Sequence, residues 1–189
     1  MVETVALRWG HRPRDFRVTT HVVLTARAFG ASSVILSDTQ DATLRETVER
    51  LSSAWGGRFS LKMGIPWRNA VEEWRRSGGI IVHLTMYGEN IETSKVIERI
   101  RSSRRKIMIL VGSQKVPGAF FDLADFNVAI GTQPHSEIAA LAVFLDRFYR
   151  GKQLQRRFSK ARIRVKPSRR GKNLITIEAG TATSARKSL

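Results

Sequence analysis

Cysteine is absent from the 189 residues. That excludes disulfides, thiolate metal centres and cysteine nucleophiles. Histidine is scarce: His11, His21, His83 and His135 are the whole complement. No two of them stand at a metal-ligand spacing, so no metal site is expected. No apolar run approaches the ~20 residues needed to span a membrane. The amino-terminal stretch MVETVALRWGHRPRDFR lacks the basic-then-apolar order of a signal sequence. The expected compartment is the cytoplasm, with no membrane partner. Two phosphate-binding patterns are also missing. No G-x-G-x-x-G follows a strand-like run, and no G-x-x-x-x-G-K-[ST] occurs, which argues against NAD or a nucleoside triphosphate held by such loops.

Acidic residues are the other shortage. Sixteen Asp and Glu face thirty-three Lys and Arg, for a net charge of +17 and a pI near 11.5. A chain of this size with that surplus implies a polyanionic partner, and nucleic acid fits best. The charge is clustered. Twelve basic residues and no acid lie between Arg147 and Lys172. RIRSSRRK, Arg99 to Lys106, is a second cluster, and RWGHRPRDFR, Arg8 to Arg17, a third.

The apolar content, 42%, is that of a globular chain with one sizeable core. Strand-like runs alternate with helix-like ones. VALRW, SSVILS, RFSLKM, IIVHLTM, KIMILVG and FNVAIG read as strands. THVVLTARAFGA reads as a helix with a Thr cap at Thr19 and a Gly stop at Gly30. DTQDATLRETVERLSSAWGG and IPWRNAVEEWRRSGG follow as helices, YGENIETSKVIERIRSS as a loop and helix, and the second half of GTQPHSEIAALAVFLDRFYRGK is a helix that closes the domain near Arg150. Several strands are continuous apolar runs, which predicts an α/β fold whose parallel sheet is covered by helices on both faces. The segment FSKARIRVKPSRRGKNLITIEAG reads as a basic β-hairpin within residues 153–180. It is too small for a core of its own and must pack on the main domain or on a partner chain. The last nine residues, 181–189, are expected to be a disordered tail.

In open α/β sheets ligands bind beyond the carboxyl ends of the strands. Three loops at such ends are rich in Gly and small polar residues: LTMYG, VGSQKVPG and GTQPHSE. Glycine admits close backbone approach to a ligand. Trp67 and Trp74 lie seven apart on one helix, a core or interface stripe, whereas Trp9 beside Gly10 is the tryptophan best placed to meet a base.

VGSQKVPGAFFDLADFNVAIGTQPHSEIAALAVFLDRF resembles the carboxyl-terminal half of the SPOUT-class methyltransferases. Together with LRWGHRPRDFRVTTHVVLTARAFGA, GIPW and VHLTMYG it is similar to the archaeal tRNA cytidine-2'-O-methyltransferases that act on cytidine 56 in the T loop. The resemblance runs from Leu7 to about Lys172 and implies a methyltransferase domain over residues 1–152, with a deep trefoil knot in about 105–152. It implies S-adenosyl-L-methionine as cosubstrate, tRNA as substrate and a homodimer paired through the knot helices. It implies that Leu84 lies against the cofactor, that Val111 and the stretch Gly112, Ser113, Gln114, Lys115 line its ribose and methionine side, and that Ile130 packs on the adenine face. Gly131, Thr132, Gln133, Pro134, His135, Ser136 and Glu137 are implied to enclose the adenosine end. The wider class carries an Arg within the first-motif helix, where Leu24 stands, and an Asn in the final motif, where Ser136 stands. Arg14 and Arg17 are therefore the candidate catalytic residues, gripping the phosphate beside the target ribose. Lys115 and His135 are secondary candidates, and Asp15 is expected to orient the two arginines. A second class of function stays open: a non-catalytic RNA-binding or ribosome-assembly protein with the same basic surface.

Overall fold

In a computed structural model, residues 2–177 are described, and the tail expected over 181–189 lies outside them. Seven strands form one sheet: β1 (Thr4–Trp9), β2 (Ser33–Ser37), β3 (Ser60–Ile65), β4 (Ile80–Thr85), β5 (Glu89–Asn90), β6 (Ile107–Gly112) and β7 (Phe126–Ala129). The order across the sheet is β3-β2-β1-β6-β4-β7-β5, and every pairing is parallel. The helices are α1 (Phe16–Ala28), α2 (Ala42–Trp55), α3 (Trp67–Arg76), α4 (Val96–Ser102), α5 (Ala119–Leu123) and α6 (Glu137–Tyr149).

The pleat sorts each strand onto two cores. Ile107, Ile109 and Val111 of β6 join the core under α1, α2, α4 and α6. Met108 and Leu110 join the core under α3 and α5. Both faces of β6 are thus dry, which is why its sequence is an unbroken apolar run. Helix α2 starts where the Asp41 carboxylate accepts from the Leu44 amide at 2.9 Å. Helix α6 starts the same way at Ser136, whose hydroxyl accepts from Ile138 N at 3.2 Å.

Helix α1 departs from the sequence reading. It begins at Phe16, after a 3-10 turn over Pro13–Asp15, and Thr19 is not its cap. The Thr19 side chain is fully buried and spent elsewhere, as described below. Arg17 is therefore a first-turn helical residue and not a loop residue. A second departure is β5, two residues that pair with β7 inside a stretch read as loop.

Two short strands lie in the basic segment, whose residues 178–180 are outside the described ones. β8 (Ile163–Val165) lies antiparallel to β9 (Leu174–Thr176), with Val165 opposite Leu174. Its base docks on the end of α2. The Gly57 amide donates to Ser159 O at 2.7 Å and the Arg162 amide to Ala54 O at 2.9 Å. Buried Arg27 of α1 donates to Gly56 O at 2.6 Å and stacks 4.5 Å over the Phe158 ring. Beyond that base the hairpin stands off the body, with Val165 and Leu174 exposed.

Candidate active site

The loops after β4, β6 and β7 converge on one cavity of about 390 Å³. Leu84, Thr85 and Met86 supply one wall and Val111 to Lys115 the floor and a second wall. Gln133, Pro134 and His135 supply the third, and Glu137 and Ala140 of α6 close the base. Of the residues expected to hold the cofactor, Leu84, Val111, Gly112, Ser113, Gln114, Lys115, Gln133, Pro134, His135 and Glu137 are brought together here. Ile130, Gly131, Thr132 and Ser136 are not in the lining. Ile130 packs partly into the main core, Ser136 is the helix cap, and Gly131 sits at φ +97° with open space where a Cβ would project. A side chain at Gly131 would be refused by backbone strain and not by lack of room. Gly112 is the reverse case. A Cβ there would collide with Val116 Cγ1, so the turn that shapes the floor closes only around a glycine. Ser113 fixes that turn to the amino-terminal loop through its hydroxyl, which donates to Gly10 O.

A larger recess, about 600 Å³, opens at the opposite end of the sheet, where Ser33 and Ser60 begin β2 and β3. It lies at the amino ends of the strands, the end where α/β folds do not assemble their sites.

The carboxylate in the cavity lining, Glu137, is braced from behind by a residue the sequence reading placed only within a basic cluster. Arg8, on the interior strand β1, is fully buried. Its Nη1 donates to Glu137 Oε1 at 2.8 Å and its Nε to Thr19 Oγ1 at 2.8 Å. The Thr19 hydroxyl accepts from Arg8 and also lies 2.7 Å from His11 Nδ1. The other ring nitrogen, His11 Nε2, faces Asp41 Oδ2 at 3.5 Å. Burial pushes the His11 imidazole below its usual pKa, against the opposing pull of Asp41. One chain of contacts, Asp41–His11–Thr19–Arg8–Glu137, therefore ties the starts of α2, α1 and α6 together. The clue in the sequence was a lone arginine inside the apolar run VALRW, a position where a charge requires a partner.

Arg14 and Arg17 are both exposed and neither lines the cavity. Asp15 does not orient them: its Oδ2 accepts from Arg12 Nε at 3.0 Å and from the Arg12 amide at 3.2 Å. Trp9 is not an open stacking platform. Its ring packs edge-on against Phe120, with centroids 5.8 Å apart, as part of the second core. Among the described residues no cluster of three metal-ligating side chains occurs, and no helix is long and apolar enough to cross a membrane.

A family model described as "tRNA ribose 2'-O-methyltransferase, aTrm56" matches residues 55–175. A tRNA (cytidine(56)-2'-O)-methyltransferase from Methanopyrus kandleri is 53% identical over 172 residues, 90% of this chain and 95% of the relative. One of the same name from Staphylothermus marinus is 51% identical over 94% of this chain and 96% of its own length. Among solved structures, the TrmH/SpoU tRNA modifying enzyme of A. aeolicus superposes with a TM-score of 0.59 at 15% identity, covering 81% of this chain and 77% of its own. The SpoU methyltransferase AviRb from Streptomyces viridochromogenes, in complex with AdoMet, gives a TM-score of 0.56 at 17% identity, covering 79% and 57%. At such identities these two structures establish the common fold.

Proposed function

The chain belongs to the aTrm56 family of tRNA ribose 2'-O-methyltransferases, and we infer that it transfers a methyl group from S-adenosyl-L-methionine to the ribose 2'-hydroxyl of cytidine 56 in tRNA. Likeness over nine-tenths of the chain supports the activity, and the cavity at the ends of β4, β6 and β7 carries its assignment to a place. The cavity fits the cosubstrate. Its volume lies within the ~300–1,000 Å³ of small-molecule sites. Leu84, Val111 and Ala140 offer apolar contact for a purine face, and the backbone around Gly112 offers donors and acceptors for its edge. Lys115 is the cation available for the methionine carboxylate. When bound, the cosubstrate supplies an already activated methyl group, so the protein's task is alignment, exclusion of water and removal of one proton.

Arg14 and Arg17 are proposed to meet the tRNA backbone at the start of α1. A helix amino terminus attracts phosphate, and two arginines there strengthen the pull. The homodimer is proposed to form on α1 and α6, which pack side by side and expose Val18 and Val143 on their outer surfaces. Pairing there would carry each Arg14 and Arg17 toward the partner's cavity. The proposed division is a methyltransferase domain over 1–152 and a tRNA-binding hairpin over 153–180. Threading of 105–152 as a knot is supported by β6 lying between β1 and β4 while α6 returns to pack on α1, β4 and β6. We place the reaction in the cytoplasm, where its tRNA substrate is processed.

The test is mass mapping of an unmodified tRNA transcript after incubation with protein and S-adenosyl-L-methionine. One added methyl group on the nucleotide at position 56 is expected. Parental mass at that nucleotide overturns the reading.

A further inference from the structure

We propose that Glu137, held by Arg8, accepts the 2'-hydroxyl proton during methyl transfer. The inference rests on the cavity being the methyl-transfer site. Among the described residues Glu137 is the only carboxylate in the cavity lining, and its side chain is 22% exposed. Oε1 is committed to Arg8 Nη1 at 2.8 Å, and among the described residues no other group donates to the carboxylate. The second oxygen is thus available to a donor inside the cavity. A ribose hydroxyl is such a donor.

Pairing with Arg8 does not disqualify Glu137 as a base. The acceptor hydroxyl is a very weak acid while free, but it becomes a strong acid as its oxygen gains the methyl group. A carboxylate then suffices to take the proton late in the transition state, when the driving force is large. In the step the 2'-oxygen forms the new O–C bond and the C–S bond breaks with its electron pair left on sulfur. The hydroxyl proton passes to Glu137 and from there to solvent. The guanidinium keeps the carboxylate aimed before the reaction. Thr19, through Arg8 Nε, keeps the guanidinium from turning away. The other titratable candidates in the lining suit the role less. Lys115 is a hydrogen-bond donor placed to meet the methionine carboxylate. His135 is exposed, so solvent competes for its ring nitrogens.

Glu137→Gln retains an oxygen for Arg8 and removes the basic one. With saturating tRNA and cosubstrate, its single-turnover rate should fall ~100-fold or more, the scale of a lost general base. Its affinity for S-adenosyl-L-methionine by calorimetry should stay within about threefold and its melting temperature should match the parent. A rate within a few-fold of the parental one overturns the proposal. So does a loss that saturating cosubstrate restores, which would make Glu137 a cofactor ligand only. Should Glu137→Gln melt early, Glu137→Asp takes its place: about a tenfold loss at saturation is expected, and the parental rate there overturns the proposal. Methylation by the parent in the same assay separates failure of this step from failure of the assigned activity.

Discussion

Arg14 and Arg17 are free to meet RNA because the acid between them is already engaged by Arg12. A contact used mainly in the transition state changes rate more than binding. If one of the two acts in the transition state, alanine there should leave S-adenosyl-L-methionine affinity unchanged and weaken tRNA binding by about tenfold. Its single-turnover rate should fall ~100-fold, as for other lost charge-stabilising contacts. The other member should lose binding and rate together. Parental rates in both variants would move attention to Lys115 and His135. His83 supports a different prediction. It is fully buried, its Nδ1 lies 2.9 Å from Asn127 Oδ1, and Phe120 and Phe121 pack edge-on against it. Burial pushes its pKa below the usual imidazole value, and the Asn127 contact only partly opposes this. His11 shifts the same way, also chiefly by burial. Below about pH 6.5 the unfolded chain then binds more protons than the native one. The histidine contribution to stability is whole above that pH and is lost as pH falls toward the depressed native values. The urea midpoint should drop on acidification from about pH 7 to 5, and His83→Gln should flatten part of that drop. A midpoint independent of pH over this range would contradict it.

The hairpin of β8 and β9 is the element that carries charge without a core. Arg164, Lys166, Arg169 and Arg170 are exposed on it, while Arg162 is held by Ser53 at its base. Neutralising those four should flatten the slope of log K against log salt by about three units, at ~0.7 to 0.9 per phosphate contact, with cosubstrate affinity unchanged. An unaltered slope would place the RNA elsewhere. At this scale the sequence was readable wherever burial imposed a period. β4 and β6 showed as apolar runs because both their faces are covered, and the hairpin showed through its turn. The start of α1 did not show. Thr19 carries the right chemistry for a cap, but tertiary structure spends its hydroxyl on Arg8 and His11. β5 left no trace because two residues hold no period and only the edge of β7 recruits them. The cavity was legible as three glycine-containing loops. Arg8 behind it was not, since the partner that explains it lies 129 residues away.

The whole molecule presents its cavity at one end of the sheet while its candidate catalytic arginines lie outside the lining. The proposed two-fold dimer on α1 and α6 would close that separation if its isologous interface set the start of one α1 beside the partner's α6 and the loop before it. Val18 and Val143, each over a third exposed, would be covered. The dimer should sediment at twice the 21.3 kDa chain mass at micromolar concentration, and Val143→Glu should shift it toward monomer with loss of methylation. Complementation tests the shared site directly. An arginine variant, Arg14→Ala or Arg17→Ala, whichever is inactive, is co-expressed with Gly112→Val, which spoils the cavity floor. Half of randomly assorted dimers are mixed. If the arginine acts across the interface, each mixed dimer has one site with a sound floor and a sound arginine, so about a quarter of parental activity should return. If the arginine serves its own chain's cavity, both sites of every mixed dimer carry a lesion and nothing returns. A monomer in sedimentation would exclude the arrangement across the interface and leave Arg14 and Arg17 to serve only their own chain.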